Sequence, residues 1–90
     1  MARTIQVVSS FPNPFTASTQ ITFTLPKNDY VTLHVYNGAG KLVGDLCTRK
    51  SMKKGYHSIA FDGATLPRGT YYYVLATSEG TWSNSMMRVD

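Results

Sequence analysis

TQITFTLPKNDYVTLHVYN, residues 19–37, sets two alternating runs on either side of one turn. In the first run Ile21, Phe23 and Leu25 alternate with Gln20, Thr22 and Thr24. In the second Val31, Leu33 and Val35 alternate with Tyr30, Thr32, His34 and Tyr36. A period of two is the signature of a strand with one apolar and one polar face. Pro26 ends the first run because proline has no N–H to give to a ladder. Lys27-Asn28-Asp29 then makes the turn. These 19 residues predict two strands, each with one face to a core and one to water.

The same signals continue in both directions. Upstream, Thr4 to Ser9 reads as a first strand. Downstream, the Asn37-Gly38-Ala39-Gly40 turn leads into KLVGDLC, with Leu42, Leu46 and Val43 expected inward. Gly44 there marks a bulge or a close crossing. Gly55 opens YHSIAFDG, in which His57, Ile59 and Phe61 share a face. Asp62-Gly63 begins a turn closed by Pro67 and Gly69. TYYYVLATS is apolar on both faces and is expected to be covered on both. Glu79-Gly80 reverses the chain into TWSNSMMRV. Seven strands in 90 residues, joined mostly by short turns, predict an all-β, seven-stranded antiparallel sandwich, with a small closed barrel as the alternative. The expected core is Ile21, Phe23, Leu25, Val31, Leu33, Val35, Leu46, Ile59, Phe61, Tyr71, Tyr73 and Leu75.

FPNPF, residues 11–15, has to connect the first strand to the second. Proline fixes φ near −65° and drives the preceding residue out of the helical region. Phe11 and Asn13 both precede a proline, so the segment reads as a stiff, extended corner outside any ladder. The Asn13 side chain can bond neighbouring backbone in place of the missing proline N–H groups. Phe15 can plug one end of the core.

At 42% hydrophobic and 16% charged, the composition excludes a disordered chain. The length allows one small domain over residues 1–90, with 1–10 as linker or first strand. No run approaches a membrane span, and Met1-Ala2-Arg3 leads straight into strand-like sequence without a signal peptide. The expectation is therefore a cytoplasmic protein, or a fragment or mature piece of something larger. The lone Cys47 excludes an internal disulfide and reads as a small buried hydrophobe. Arg49, Lys50, Lys53 and Lys54 read as a solvated, aggregation-resistant loop rather than a contact for nucleic acid or lipopolysaccharide.

A search for chemistry finds no set of residues that carries any. His34 and His57 have no partner at metal-ligand spacing, and the five acids are scattered singly. Asp62 fits a turn better than a calcium site. There is no phosphate loop and no nucleophile elbow. No catalytic, cofactor-binding or metal residue is assigned. Trp82 with Tyr30, Tyr36 or Tyr72 could form a sugar-binding platform, but only if Trp82 and at least one of these tyrosines lie exposed on one sheet face.

The residues that remain carry a resemblance. FPNPFTASTQITFTLPKNDYVTLHVYNGAGKLV and GYHSIAFDGATLPRGTYYYVLAT resemble the C-terminal sorting domains of the type IX secretion system, the Por secretion system type A family. The shared pattern is Pro12 to Phe15, Leu25-Pro26, Val31 to Val43, Gly55 to Gly63, and Gly69-Thr70-Tyr71-Tyr72-Tyr73, within residues 8–90. It is also similar to the immunoglobulin-like domain of flagellar hook-capping proteins. The resemblance implies an immunoglobulin-like fold and a non-catalytic address label covalently joined to a cargo protein. Such a label folds in the periplasm and is read by an outer-membrane translocon. A cell-surface sortase then cleaves it, leaving the cargo on the surface or secreted. The residues it singles out are Pro12, Asn13, Pro14, Phe15, Gly69, Tyr71, Tyr73, Met87, Arg88 and Val89. One departure is visible: the family usually ends in basic residues, whereas Arg88 here is followed by Val89 and the acidic Asp90. The readings that compete with the address label are a carbohydrate-binding module and a structural immunoglobulin-like module.

Overall fold

The computed structural model describes residues 8–89. Seven strands run in order: β1 (Ser9–Phe11), β2 (Ser18–Leu25), β3 (Asp29–Tyr36), β4 (Leu42–Met52), β5 (Gly55–Asp62), β6 (Gly69–Thr77) and β7 (Gly80–Arg88). They form two antiparallel sheets, one of three strands in the order β1-β2-β5 and one of four in the order β4-β3-β6-β7. The chain changes sheet at β2–β3, β4–β5 and β5–β6, and makes hairpins at β3–β4 and β6–β7. Among the described residues no helix is long and apolar enough to cross a membrane.

The alternation sorts the side chains as expected. Ile21, Phe23 and Leu25 of β2 face Val31, Leu33 and Val35 of β3 and Tyr71, Tyr73 and Leu75 of β6 across one core, joined by Phe15, Phe61 and Met86. Burying a large apolar side chain is worth about 1.5–3 kcal/mol, so these rows hold the sheets together.

Five sequence expectations are corrected. Leu46 and Ile59 are only partly buried. Both lie on edge strands, β4 and β5, where the two sheets open toward solvent. Leu42 points outward, 46% exposed, because it pairs with Tyr36 on the solvent face of β3. Tyr72 is 46% exposed, so β6 is not covered on both sides. The basic stretch is not a loop: Arg49 and Lys50 lie on β4, and only Lys53 and Lys54 connect to β5. Finally, Pro12, Asn13 and Pro14 form a bend rather than an extended run, with both X-Pro bonds cis, and Phe11 pairs with Gln20 inside a ladder. The first strand begins at Ser9; the expected Thr4–Val7 portion lies outside the described residues.

β4 pairs irregularly with β3, with three register shifts. At one of them Thr48 and Arg49 stand against Thr32 alone. Arg49 takes the left-handed conformation (φ 49°) and donates its N–H to Thr32 Oγ1 at 3.0 Å. Gly44 marks the close crossing its position suggested. A Cβ there would come within 2.9 Å of the Phe61 ring. At the start of β6, Gly69 has φ +147°, a conformation that side chains rarely adopt, although open space surrounds it.

Two substitutions separate these requirements. Gly44→Val should lower stability by about 1–3 kcal/mol through overpacking against Phe61. Gly69→Val should lower it by about 1–3 kcal/mol through backbone strain alone. Urea midpoints measure both. Adding Phe61→Leu should partly rescue Gly44→Val and leave Gly69→Val unchanged.

Candidate recognition site

The singled-out residues converge at one end of β7. Pro12 and Pro14 have no N–H, so bonding by the bend falls to the Asn13 side chain, whose amide carries a donor and an acceptor like a peptide group. Asn13 Nδ2 donates to Ser85 O at 3.3 Å, and Met87 N donates to Asn13 Oδ1 at 3.0 Å. One step on, Phe15 N donates to Met87 O at 2.9 Å and Val89 N donates to Phe15 O at 2.8 Å. This makes a parallel bridge between Phe15 and Arg88. Four successive backbone groups on the outer edge of β7 are thereby satisfied, two by a side chain and two by main chain.

Other contacts hold the corner in place. Thr19, buried at the start of β2, donates its hydroxyl to Pro12 O at 2.8 Å. Gly63 N donates to Ala17 O at 2.8 Å. The Phe15 ring is fully buried and meets Phe61 edge-on, with centroids 6.2 Å apart. Gly63 leaves room for it, since a Cβ there would lie 2.9 Å from the Phe15 ring. Asp62 acts as a turn residue, its Oδ1 accepting from Ala64 N at 3.0 Å.

Arg88 reaches back from β7 to that turn. Its Nε donates to Gly63 O at 2.8 Å and its Nη2 to Ala64 O at 3.2 Å. Gly69 stands opposite Arg88 and Thr70 opposite Met87. Met87 projects from the solvent face, 46% exposed. Val89 is partly buried beside Phe15. Tyr71 is buried, and its hydroxyl donates to Pro67 O four residues upstream. Tyr73 lies farther along β6, away from the corner. Its ring is buried and its hydroxyl reaches Ser10 Oγ at 3.4 Å; burial pushes the phenol pKa up against the small opposing effect of that bond. Pro12, Asn13, Pro14, Phe15, Gly69, Met87, Arg88 and Val89 thus form one cluster, Tyr71 supports it from below, and Tyr73 belongs to the core.

The sequence reading missed Thr19 and Met86, a buried polar residue and a core residue of the last strand, and it read Gly63 only as a turn. The alternation of β2 does place Thr19 on the apolar face beside Ile21, which was the available signal.

The sugar platform lacks its geometry. Trp82 is paired with buried Leu75 and packs against the core, whereas Tyr36 and Tyr72 stand opposite each other on the other face. Among the described residues no group of three or more His, Cys, Asp or Glu is placed to hold a metal. His57 stacks on Phe23 at 5.5 Å, and His34 meets Thr48 and Asp45. Cys47 is partly buried, and burial pushes its thiol pKa up.

Two measurements check this arrangement. Asn13→Ala should cost about 1–2 kcal/mol and speed amide exchange at Met87 more than at strand-interior positions. Asn13→Asp keeps the acceptor and should retain most of the Met87 protection. Cys47 should react with a thiol reagent at neutral pH more slowly than free cysteine, as a thiol with a raised pKa does.

No curated protein and no solved structure matches the chain. One family model, described as secretion system C-terminal sorting domain, matches residues 9–88, from the first residue of β1 to the last of β7. The matched span takes in the Pro-Asn-Pro-Phe corner and the strand on which it sits, and the chain belongs to this family of type IX secretion C-terminal sorting domains.

Proposed function

We propose that residues 1–90 act as one folded address label whose last strand and seated corner are read together by the outer-membrane translocon. A cell-surface sortase then removes the label and leaves the cargo on the surface or secreted. In this reading the domain passes through the periplasm already folded and has no catalytic activity of its own. The family supplies the sorting role. What carries the finer reading is the seat of Asn13 and Phe15 on Ser85 to Val89, which makes the opening motif and the final strand one unit.

That unit favours recognition through side chains. The outer edge of β7 over Ser85–Val89 is already bonded, so a partner strand would first have to displace the corner. Met87 is the accessible side chain. Arg88 has two donors committed to Gly63 and Ala64, so its role is to brace the end of the strand. Pro12, Pro14, Gly69, Tyr71 and Tyr73 act by holding the shape that presents Met87 and Val89.

An immunoglobulin-like sandwich is the fold we assign to the label. Support comes from the three-plus-four strand order and from the Tyr71 hydroxyl bonded to Pro67 O at the start of the sixth strand, as a tyrosine corner is in such domains.

The test is a fusion of residues 1–90 behind a periplasm-directed fluorescent protein, in a host with the secretion system. The intact fusion should reach the surface or medium. Met87→Asp should trap it in the periplasm with the domain's circular dichroism unchanged. A deletion of Ser85 to Asp90 is less informative because it also removes the core residue Met86. Retention of the intact fusion, or equal escape of Met87→Asp, overturns the reading.

A further inference from the structure

The two sheets present four edges, and three are blunted. β1 is three residues long. β4 is bulged at three places and carries Arg49 and Lys50. β7 is covered by Asn13 and Phe15 over its last turn of ladder. These are the ordinary ways in which natural sheets avoid pairing with other chains.

β5 has none of them. Its eight residues pair with β2 in unbroken register, from Gly55 opposite Leu25 to Asp62 opposite Ser18. It contains no Lys, Arg or Pro. Among the described residues nothing bonds its outer edge. Tyr56 stands 68% exposed on the solvent face, with Ser58, Ala60 and Asp62 in the same row. On the opposite face Ile59 is partly buried, at the seam where β5 meets β4. A long, regular edge whose one carboxylate, Asp62, stands at its end, beside a partly covered apolar seam, is a strand-docking site.

We propose that this edge pairs with the β5 edge of a second copy of the chain, antiparallel about a two-fold axis at Ile59. Directly opposite residues in an antiparallel pair share a face, which restricts the register to like parity. The axis at Ile59 sets Ser58 against Ala60 of the other copy and brings the two partly exposed Ile59 side chains together in the seam. It also sets Tyr56 against Asp62, a phenol donor against a carboxylate. Lys53 and Lys54, which lead into the strand, then lie at the Asp62 end of the partner, so opposite charges meet at both ends of the pair. An isologous contact of this kind closes on itself and leaves no further edge to extend. The interface is small, so the dimer is weak and concentration-dependent. This pairing does not depend on the sorting role and leaves the Asn13–Met87 cluster, at the last strand of the other sheet, free.

A charge-swap experiment tests partner and register together. Ser58 and Ala60 both project to solvent, so substitutions there leave the core intact. Analytical ultracentrifugation of the wild-type chain up to about 1 mM, the range of weak association, should show a monomer–dimer equilibrium. Ser58→Lys with Ala60→Lys should be monomeric throughout. Ser58→Asp with Ala60→Asp should also be monomeric alone. Mixing the two variants should restore a dimer at least as strong as wild type. Circular dichroism of each variant confirms folding. A wild-type monomer at the highest concentration, a Lys variant that dimerises like wild type, or a mixture that stays monomeric overturns the proposal.

Discussion

The arrangement depends on how one bend meets one edge. Two prolines remove the N–H groups that would let the chain continue as a strand. The residue between them then supplies a side-chain amide in their place. That amide and the backbone of Phe15 close the outer edge of the last strand, and the Phe15 ring closes the end of the core. If the bend were lost, the edge of β7 would be open and the core uncapped at the same end, because one segment performs both tasks.

The edge and the core end are coupled through small contacts. Phe15 can be buried only because Gly63 lacks a side chain, and Gly63 is held by Ala17 and by the Arg88 guanidinium. Arg88 in turn belongs to the strand that the corner covers. The loop of contacts runs from residue 13 to residue 88 and back through residue 63, so it ties together parts of the chain far apart in sequence. Such closure has a physical consequence. The backbone of that strand is held in one conformation, and the side chains on its open face vary independently of the fold.

Most of the framework was legible from alternation. Ile21, Phe23 and Leu25, and Val31, Leu33 and Val35, have a period of two that admits one orientation, and each lies in the core. Turn chemistry was equally local: the Asn37 side chain caps its own turn, accepting from Ala39 and Lys41. Residues on the flanks were less legible. Leu42, Leu46, Ile59 and Tyr72 have core-like side chains, but whether such a residue is covered depends on whether its strand lies at the edge or the centre of a sheet. Alternation in a single strand carries no information on that.

The sequence by itself determined the faces of the second and third strands, a corner at Pro12–Phe15 and, through its motifs, the family. Each of these depends on residues within a few positions of one another or on a spacing that can be counted. Only the tertiary structure decided that Asn13 and Phe15 bond the last strand, that Arg88 is spent on Gly63 and Ala64, and that β5 keeps a clean edge while β4 is bulged. Those contacts join residues up to 74 positions apart. They arise from the order of strands and the packing of two sheets, and no local pattern of side chains encodes the distance between them.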